Sequence, residues 1–566
     1  LNLIPTNPTP TIQRMTWECS PNDDQHPLPH HPQRRPHSRT SFGLWSFPQQ
    51  RFYAKSETIV LRLDGIGPLY QQVYRAFRNE ILSRTLAPGE RVPSTRALAN
   101  FLGISRNTAV AAYEQLLAEG YLETRIGAAG TIVAPLLTGL SHHSNSSELS
   151  DSHQHAFVRS DAQLAITGER FLGAAHAVSK CLGLSRLSWE LTPPRIRYDF
   201  RPGRASFPDL PYATWCRLQG ARARHATLPD LDYGPPAGRW ELREAIATRL
   251  RRLRGVDADP ERIVIVNGTQ QALDLICRVL LNPGDRVLIE EPHYTGARCA
   301  FMAAGAELVT SAVDENGIQI PKVTRHRVPR NNAAKRSIRL AYVTPSHQFP
   351  TGVVQPITRR LELLDWASRV GAFIFEDDYD SEYRYDGPPP QALAGLDREG
   401  RVIYAGTFSK ILFPALRLAY LVLPECLVEA VAAAKGIGDT GTATLEQLTL
   451  ADFIGMGHFD RHLRRTNASN AARRNALVAA LGEEFGDRAE VCGANAGLHL
   501  LVWLRGRDGG MIADAHSTAE KSGVGLYTVD PFYIKPPKRT GVVLGYAPLQ
   551  EREIRQGIRC LAAAFR

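Results

Sequence analysis

Residues Val402–Lys410 read V-I-Y-A-G-T-F-S-K. The run Val402–Gly406 has the apolar, small-residue character of a buried strand, and a lysine follows it within a few positions. In an open α/β sheet, ligands bind beyond the carboxyl ends of the strands, so a lysine in this place is expected to point into a site. An amine there can form a Schiff base with an aldehyde cofactor. The hydroxyls of Thr407 and Ser409 and the guanidinium of the following Arg417 suit a phosphate. A lone lysine is more often a surface residue, so the reading depends on what surrounds it.

Outward from this stretch, strand-like runs recur at Ile263–Asn267, Arg286–Glu290, Leu340–Thr344, Ala372–Glu376 and Ala419–Leu423, with helical patterns between them. Such alternation from Tyr198 to the end of the chain predicts a large α/β domain with a mostly parallel sheet. Three of the runs carry further chemistry. In F-I-F-E-D-D-Y-D (Phe373–Asp380) a period of two puts Phe373, Phe375, Asp377 and Tyr379 on one face. Asp377 is then placed to pair with a pyridinium nitrogen and Tyr379 to hydrogen-bond a ring oxygen. A metal-binding acidic cluster or a solvated strand end is the plainer alternative. In I-V-I-V-N-G-T-Q-Q the strand passes into a helix at Gly268–Gln270, where amides and the Thr269 hydroxyl form an anion site. In E-E-P-H-Y, Tyr294 follows a strand, and its face can stack on a planar ring.

A smaller domain precedes this one. Tyr70, Val73, Phe77 and Ile81 make one apolar stripe, and Pro88-Gly89 breaks the chain. Ser94 is expected to cap a second helix with Leu98, Phe101 and Leu102 inside, ended by Gly103. Ser105 caps a third, with Val110, Tyr113 and Leu117 inside and Gly120 as its stop. Two helices joined by so short a glycine-containing turn form a helix-turn-helix pattern. The third helix opens S-R-N-T (Ser105–Thr108), and the first turn of a recognition helix is what meets the major groove. Arginine can fork onto guanine and asparagine onto adenine, while hydroxyls and helix-start amides take phosphate. Tyr121–Thr124 and Thr131–Val133 flank a turn containing Gly127 and Gly130, a β-hairpin wing. A polar helix end in a protein-interaction module is the alternative.

The domain plan is therefore a Pro/His-rich tail over 1–56, a winged helix-turn-helix over 57–135, a linker with one weakly helical part over 136–197, and the α/β domain over 198–566. The chain has 566 residues, 43% of them hydrophobic, and a formal net charge of +10 carried almost wholly by arginine. That composition excludes a fibre or a wholly disordered chain. A basic balance permits nucleic-acid binding without proving it. No apolar run reaches the roughly 18 residues of a membrane span, and no secretory apolar region is evident, so a cytoplasmic protein is expected. Eight cysteines show no C-x-x-C pair, which argues against a zinc site or a disulfide framework; no metal is expected.

The stretches Pro68–Tyr74, Pro88–Ala99 and Ser105–Tyr121 (S-R-N-T-A-V-A-A-Y-E-Q-L-L-A-E-G-Y) resemble the winged helix-turn-helix of GntR-type regulators. The resemblance implies double-stranded DNA as partner, with Arg96, Ser105, Arg106, Asn107, Thr108 and Gly127 at contact positions. The order of phosphate turn, aromatic, Asp/Tyr pair, lysine and arginine resembles fold-type I pyridoxal-phosphate enzymes of the class I/II aminotransferase family. Y-G-P-P-A-G (Tyr233–Gly238) and P-S-H-Q-F-P-T-G (Pro345–Gly352) add to it. This implies Lys410 as the Schiff-base lysine, Asp377 on the pyridine nitrogen, Tyr379 on the phenolic oxygen and Tyr294 on the ring face. It further places Thr269, Gln270, Thr407 and Arg417 around the phosphate and Tyr233 near a partner subunit's cofactor. Most aminotransferases carry Asn before the P-T-G; here that place is Phe349.

The two parts together resemble the MocR/GabR subfamily, which implies a domain-swapped homodimer whose cofactor domain senses an amine, an amino acid or pyridoxal 5'-phosphate itself. A working aminotransferase with an accessory DNA-binding domain is the main alternative, and a scaffold without cofactor the third reading. The segment Gly523–Lys535 holds no arginine for a substrate carboxylate, and its Asp530 would repel one. Arg298, Arg461 and Arg464 are possible substitutes.

Overall fold

In the computed structural model, residues 12–15, 59–125, 130–135, 165–181, 196–322, 337–506, 510–512 and 514–565 are described. The chain divides into two compact units, Leu1–Phe157 and Val158–Arg566.

Among the described residues the first unit holds three helices, Leu69–Leu82, Thr95–Leu102 and Arg106–Ala118, and a hairpin of Leu122–Arg125 with Gly130–Val133. Both caps read from the sequence form. Ser94 accepts the Ala97 amide at 3.2 Å and Ser105 the Thr108 amide at 3.1 Å. Gly103 closes the second helix at φ +64°, a conformation costly for any residue with a Cβ. The buried stripe of the third helix is Ala109, Ala112, Tyr113 and Leu116, with Val110 and Leu117 only half-buried. Small alanines at the contact let the helices approach, and Tyr113 ties the packing by an edge-on contact with Phe77 and a hydrogen bond to the Pro93 carbonyl. Within the stretch expected to be a tail, Ile12–Met15 pairs antiparallel with Ile59–Arg62.

The second unit is built on an eight-stranded sheet in the order Ile263–Val266, Ala419–Val422, Val402–Thr407, Phe373–Asp378, Ile338–Val343, Arg286–Glu291, Glu307–Asp314, Gly317–Ile318. All six strands expected from sequence are present. Ala419–Val422 runs antiparallel to both neighbours, whereas Val402–Thr407, Phe373–Asp378, Ile338–Val343, Arg286–Glu291 and Glu307–Asp314 are mutually parallel. A second, four-stranded antiparallel sheet joins Ala489–Cys492, His499–Leu504, Thr540–Gly545 and Tyr527–Thr528. Helices His458–Phe485 and Glu551–Ala564 pack on each other, and Leu477, Leu481, Ile554, Ile558 and Leu561 share one core with that second sheet. In the expected linker, Ile166–Cys181 is helical and packs on the helix Thr295–Ala303. No described helix is long and apolar enough to cross a membrane.

Candidate cofactor site and DNA-reading helix

Topology explains why residues far apart in sequence meet. The carboxyl ends of Ile263–Val266, Arg286–Glu291, Ile338–Val343, Phe373–Asp378 and Val402–Thr407 lie at one edge of the sheet. Because Ala419–Val422 is antiparallel, its amino end is there too, and Arg417 arrives beside the others. Lys410 stands three residues past Thr407, and its Nζ donates to the Gly203 carbonyl at 2.6 Å. Gly203 has φ +77°, and a Cβ there would lie 3.1 Å from that amine. Burial lowers the Lys410 pKa, an effect opposed by Asp380 and Asp377.

Asp377 is buried, and its Oδ2 accepts the Tyr342 hydroxyl at 2.7 Å. Its Oδ1 is buried with no hydrogen-bond partner among the described residues. Burial pushes the carboxyl up to about 7, with Tyr342 and Lys410 acting in the opposite direction. A ring N–H at Oδ1 would satisfy the orphaned acceptor and restore the charge. Tyr379 donates to the His347 carbonyl at 2.9 Å and lies 3.1 Å from Nδ1 of the same imidazole, which is 3.0 Å from Asp380. Tyr294 is half-buried, and its hydroxyl is 3.4 Å from Gln270 Oε1, while Gln270 Nε2 donates to the Gly296 carbonyl at 2.8 Å.

The turn into the helix Thr269–Leu280 begins at Gly268, φ +128°, with no side-chain cap. A Cβ at Gly268 would lie 2.8 Å from Nη2 of Arg417, so the guanidinium and the helix start converge. Arg417 makes no ion pair among the described residues and is exposed. Thr269 is half-buried beside it, and Thr407 is buried with its hydroxyl accepting the Ser409 amide at 3.2 Å. An unpaired guanidinium against a helix N-terminus is suited to a dianionic phosphate. The orphaned Asp377 oxygen, the lysine amine and this turn fit pyridoxal phosphate. Tyr233, by contrast, is 86% exposed and stands apart from these contacts.

Sequence reasoning missed the supports. Lys435, one of nine lysines, has no exposed surface and contacts Asp439 Oδ1 and Oδ2 at 2.8 and 2.7 Å. Asp439 also accepts from Gln271 Nε2 at 2.7 Å, Asn267 Nδ2 at 3.1 Å and the Gly441 amide at 3.0 Å, anchoring the phosphate turn from behind. The available signal was a lysine on an alanine-rich helix with an aspartate four residues on. Glu290 accepts from the Thr344 hydroxyl at 2.7 Å and Gln348 Nε2 at 3.1 Å, fixing the loop Pro345–Gly352; burial pushes it up to about 7. Asp530 is exposed, and Arg461 is engaged with His458 at 2.7 Å.

In the first unit, Arg96, Ser105, Arg106 and Asn107 are exposed and Thr108 half-buried, all at the starts of the second and third helices. The Ser105 hydroxyl is shared between the Thr108 amide and the Thr108 hydroxyl, at 3.1 and 2.8 Å. Gly127 lies outside the described residues.

Residues 69–133 match the model for bacterial regulatory proteins of the gntR family, and residues 217–538 that for aminotransferase class I and II. The chain is 36% identical over 510 residues to the probable rhizopine catabolism regulatory protein MocR of Rhizobium meliloti, covering 90% of this chain and 96% of that one. It is 32% identical over 516 residues to the HTH-type transcriptional regulator TauR of Rhodobacter capsulatus, covering 90% and 99%. Among solved structures, the α-aminoadipate aminotransferase LysN of Thermus thermophilus, complexed with N-(5'-phosphopyridoxyl)-L-leucine, is similar at TM-score 0.59 and 27% identity, covering 71% of this chain and 98% of that one. With a DNA-reading helix pair at one end, a lysine-centred α/β site at the other, and relatives that match along nearly their whole length, the chain belongs to the MocR/GabR type of GntR-family transcription regulators.

Proposed function

We propose that this regulator holds pyridoxal 5'-phosphate on Lys410 and uses the site to sense an amine, an amino acid or the cofactor itself, so that occupancy alters DNA binding. The observation that carries this is the buried Asp377 oxygen without a partner among the described residues, on the strand paired with the one that leads to Lys410. Bound there, the cofactor supplies an aldehyde for amines and an electron-accepting ring. Asp377 would hold its ring nitrogen, Tyr379 its phenolic oxygen and Tyr294 its face. Gly268–Gln270, Thr407 and Arg417 would hold its phosphate. A ligand changes DNA affinity only by its differential affinity for two states of the protein.

Leu228, Leu231, Tyr233 and Ile437 are 66–89% exposed. Exposed apolar side chains in such number support a homodimer that covers them and brings Tyr233 to the partner's cofactor. A cytoplasmic location accords with DNA as partner. The intact Lys410, Asp377 and Tyr379 set also favours a second reading, residual aminotransferase turnover.

The test is an absorbance scan of the purified protein titrated with pyridoxal phosphate and then with amines, on and off its upstream DNA. A lysine-dependent band near the visible edge, whose ligand response changes DNA affinity without keto-acid release, supports sensing. Steady keto-acid production indifferent to DNA supports the enzyme, and no band refutes cofactor binding. On the DNA side, Arg106→Ala is expected to weaken specific binding by about 1–3 kcal/mol through loss of a base contact. Gel-shift titrations on operator and random DNA check this; equal losses on both would make Arg106 a phosphate contact.

A further inference from the structure

Tyr379 gives its proton to the backbone of a residue whose side chain also faces it. Its hydroxyl donates to the His347 carbonyl at 2.9 Å, and its oxygen lies 3.1 Å from Nδ1 of the same residue. That nitrogen is also 3.0 and 3.2 Å from the two oxygens of Asp380. His347 and Asp380 are 1% and 2% exposed. A carboxylate can only accept, so the imidazole carries a proton on Nδ1, and the Tyr379 oxygen takes a share of it. Nε2 is buried without a partner among the described residues, and a proton there would be a stranded donor.

The imidazole is clamped in this place. Gly497, at φ +75°, lies so close that a Cβ there would fall 2.0 Å from Cε1 of His347 and 2.7 Å from Asp380 Oδ2. Gly352, at φ +73°, would put a Cβ 3.1 Å from Nε2. His499 packs alongside at a centroid distance of 5.0 Å, and burial, with His347 and Lys410 near it, holds it well below the usual histidine range. Phe349 meets the Tyr379 ring edge-on at 6.1 Å and brings no polar atom to it. Burial, followed by the charges of Asp380, Asp377, Glu290 and Asp378, holds the Tyr379 hydroxyl well above the usual phenol range, so it stays a donor. The charges that act on Lys410 are those of Asp380, Asp377 and Arg417.

We infer that His347, clamped by Asp380, is the positioning residue for the Tyr379 hydroxyl. This rests on the reading that Tyr379 meets the phenolic oxygen of a cofactor held on Lys410. Once the Tyr379 proton is given to that oxygen, it no longer serves the His347 carbonyl. The Nδ1–H of His347 is then the contact that keeps the Tyr379 oxygen in place. A hydrogen bond to an ionised oxygen favours the ionised form, so the aim of this hydroxyl helps set the pH at which the near-visible band changes. Asp380 also acts on Lys410 directly, which makes His347 the member of the pair whose substitution isolates the effect.

The experiment follows the pH midpoint of the near-visible band in the full chain loaded with pyridoxal phosphate. Tyr379→Phe removes a hydrogen bond to the ionised oxygen and is expected to raise the midpoint by about one pH unit. His347→Leu should raise it in the same direction, and should lose most of that shift in the Tyr379→Phe background, because its effect passes through the hydroxyl. His347→Asn, whose side-chain nitrogen can stand in the Nδ1 place, should return the midpoint toward the parent value. Where His347→Leu does not fold, His347→Gln, whose nitrogen reaches the Nε2 place instead, carries the same comparison. An unmoved midpoint on removal of the imidazole overturns the inference and leaves the cofactor reading standing. So does a shift that keeps most of its size without the Tyr379 hydroxyl, or a His347→Asn midpoint as displaced as that of His347→Leu. A Tyr379→Phe midpoint equal to the parent's overturns the role of Tyr379 and the inference with it. Absence of the band in the parent protein overturns the cofactor reading itself, and this inference falls with it.

Discussion

Lys410→Ala protein incubated with pyridoxal phosphate is expected to show none of the near-visible absorbance that the parent chain acquires. The amine is placed by a strand end and held by the Gly203 carbonyl, and burial shifts it toward its neutral, nucleophilic form. Lys435 cannot stand in, because it is fully buried and bound to both oxygens of Asp439. The remaining contacts, Asp377, Tyr294 and the turn with Arg417, survive the substitution, so weakened non-covalent binding should persist and be measurable by calorimetry. An unchanged spectrum would remove Lys410 from its role. Loss of all binding would show that the covalent tie, and not the cradle, supplies the affinity.

Arg254→Met should be among the most destabilising single changes in the second unit. Arg254 and Asp378 have side chains 5% and 1% exposed, with Nη2 2.8 Å and Nε 3.0 Å from Asp378 Oδ2. The guanidinium also donates to the Ser346 hydroxyl at 2.7 Å and to the Pro390 carbonyl. Tyr404 donates to the same Asp378 oxygen at 2.5 Å. Removing the arginine strands a charge away from water, a change that costs about 3–5 kcal/mol in buried pairs. Denaturant unfolding should show a lowered midpoint for the second unit, and the double change Arg254→Met with Asp378→Asn should recover much of it. A loss below about 1 kcal/mol, the scale of an exposed pair, would mean that water reaches Asp378. Since Asp378 adjoins Asp377 and Ser346 adjoins His347, the same variant should also weaken cofactor binding.

Much of this site was legible because its motifs follow or end strands that are mostly buried on both faces and therefore open as apolar runs. Ile263–Val266 and Val402–Thr407 are wholly buried, and the phosphate turn and the lysine fall directly after them. Glu307–Asp314 escaped notice because it is half-exposed and carries Glu, Thr and Ser. The third helix of the DNA-reading unit was read one residue off, since Ala109 and Ala112 contribute packing without hydrophobic weight while Val110 and Leu117 advertise a face that is only partly covered. The supports were illegible for a different reason. Lys410 and Gly203 are 207 residues apart, Gln271 and Asp439 168, and such partnerships follow only from the sheet order.

The anchor behind the phosphate turn also constrains how this chain can change over generations. Lys435 and Asp439 are a matched couple in which neither partner tolerates solitude: a lone lysine would be a dry cation, and a lone aspartate would keep Asn267 and Gln271 but lose its neutralising charge. Exchanging both for uncharged residues is far milder than passing through either single step. Descendants of this sequence should therefore vary at 435 and 439 together or not at all, and a lineage that has crossed to an uncharged pair must have found another grip for Asn267 and Gln271. The two positions form a ratchet on drift, one helical turn long, beneath the site's most exacting loop.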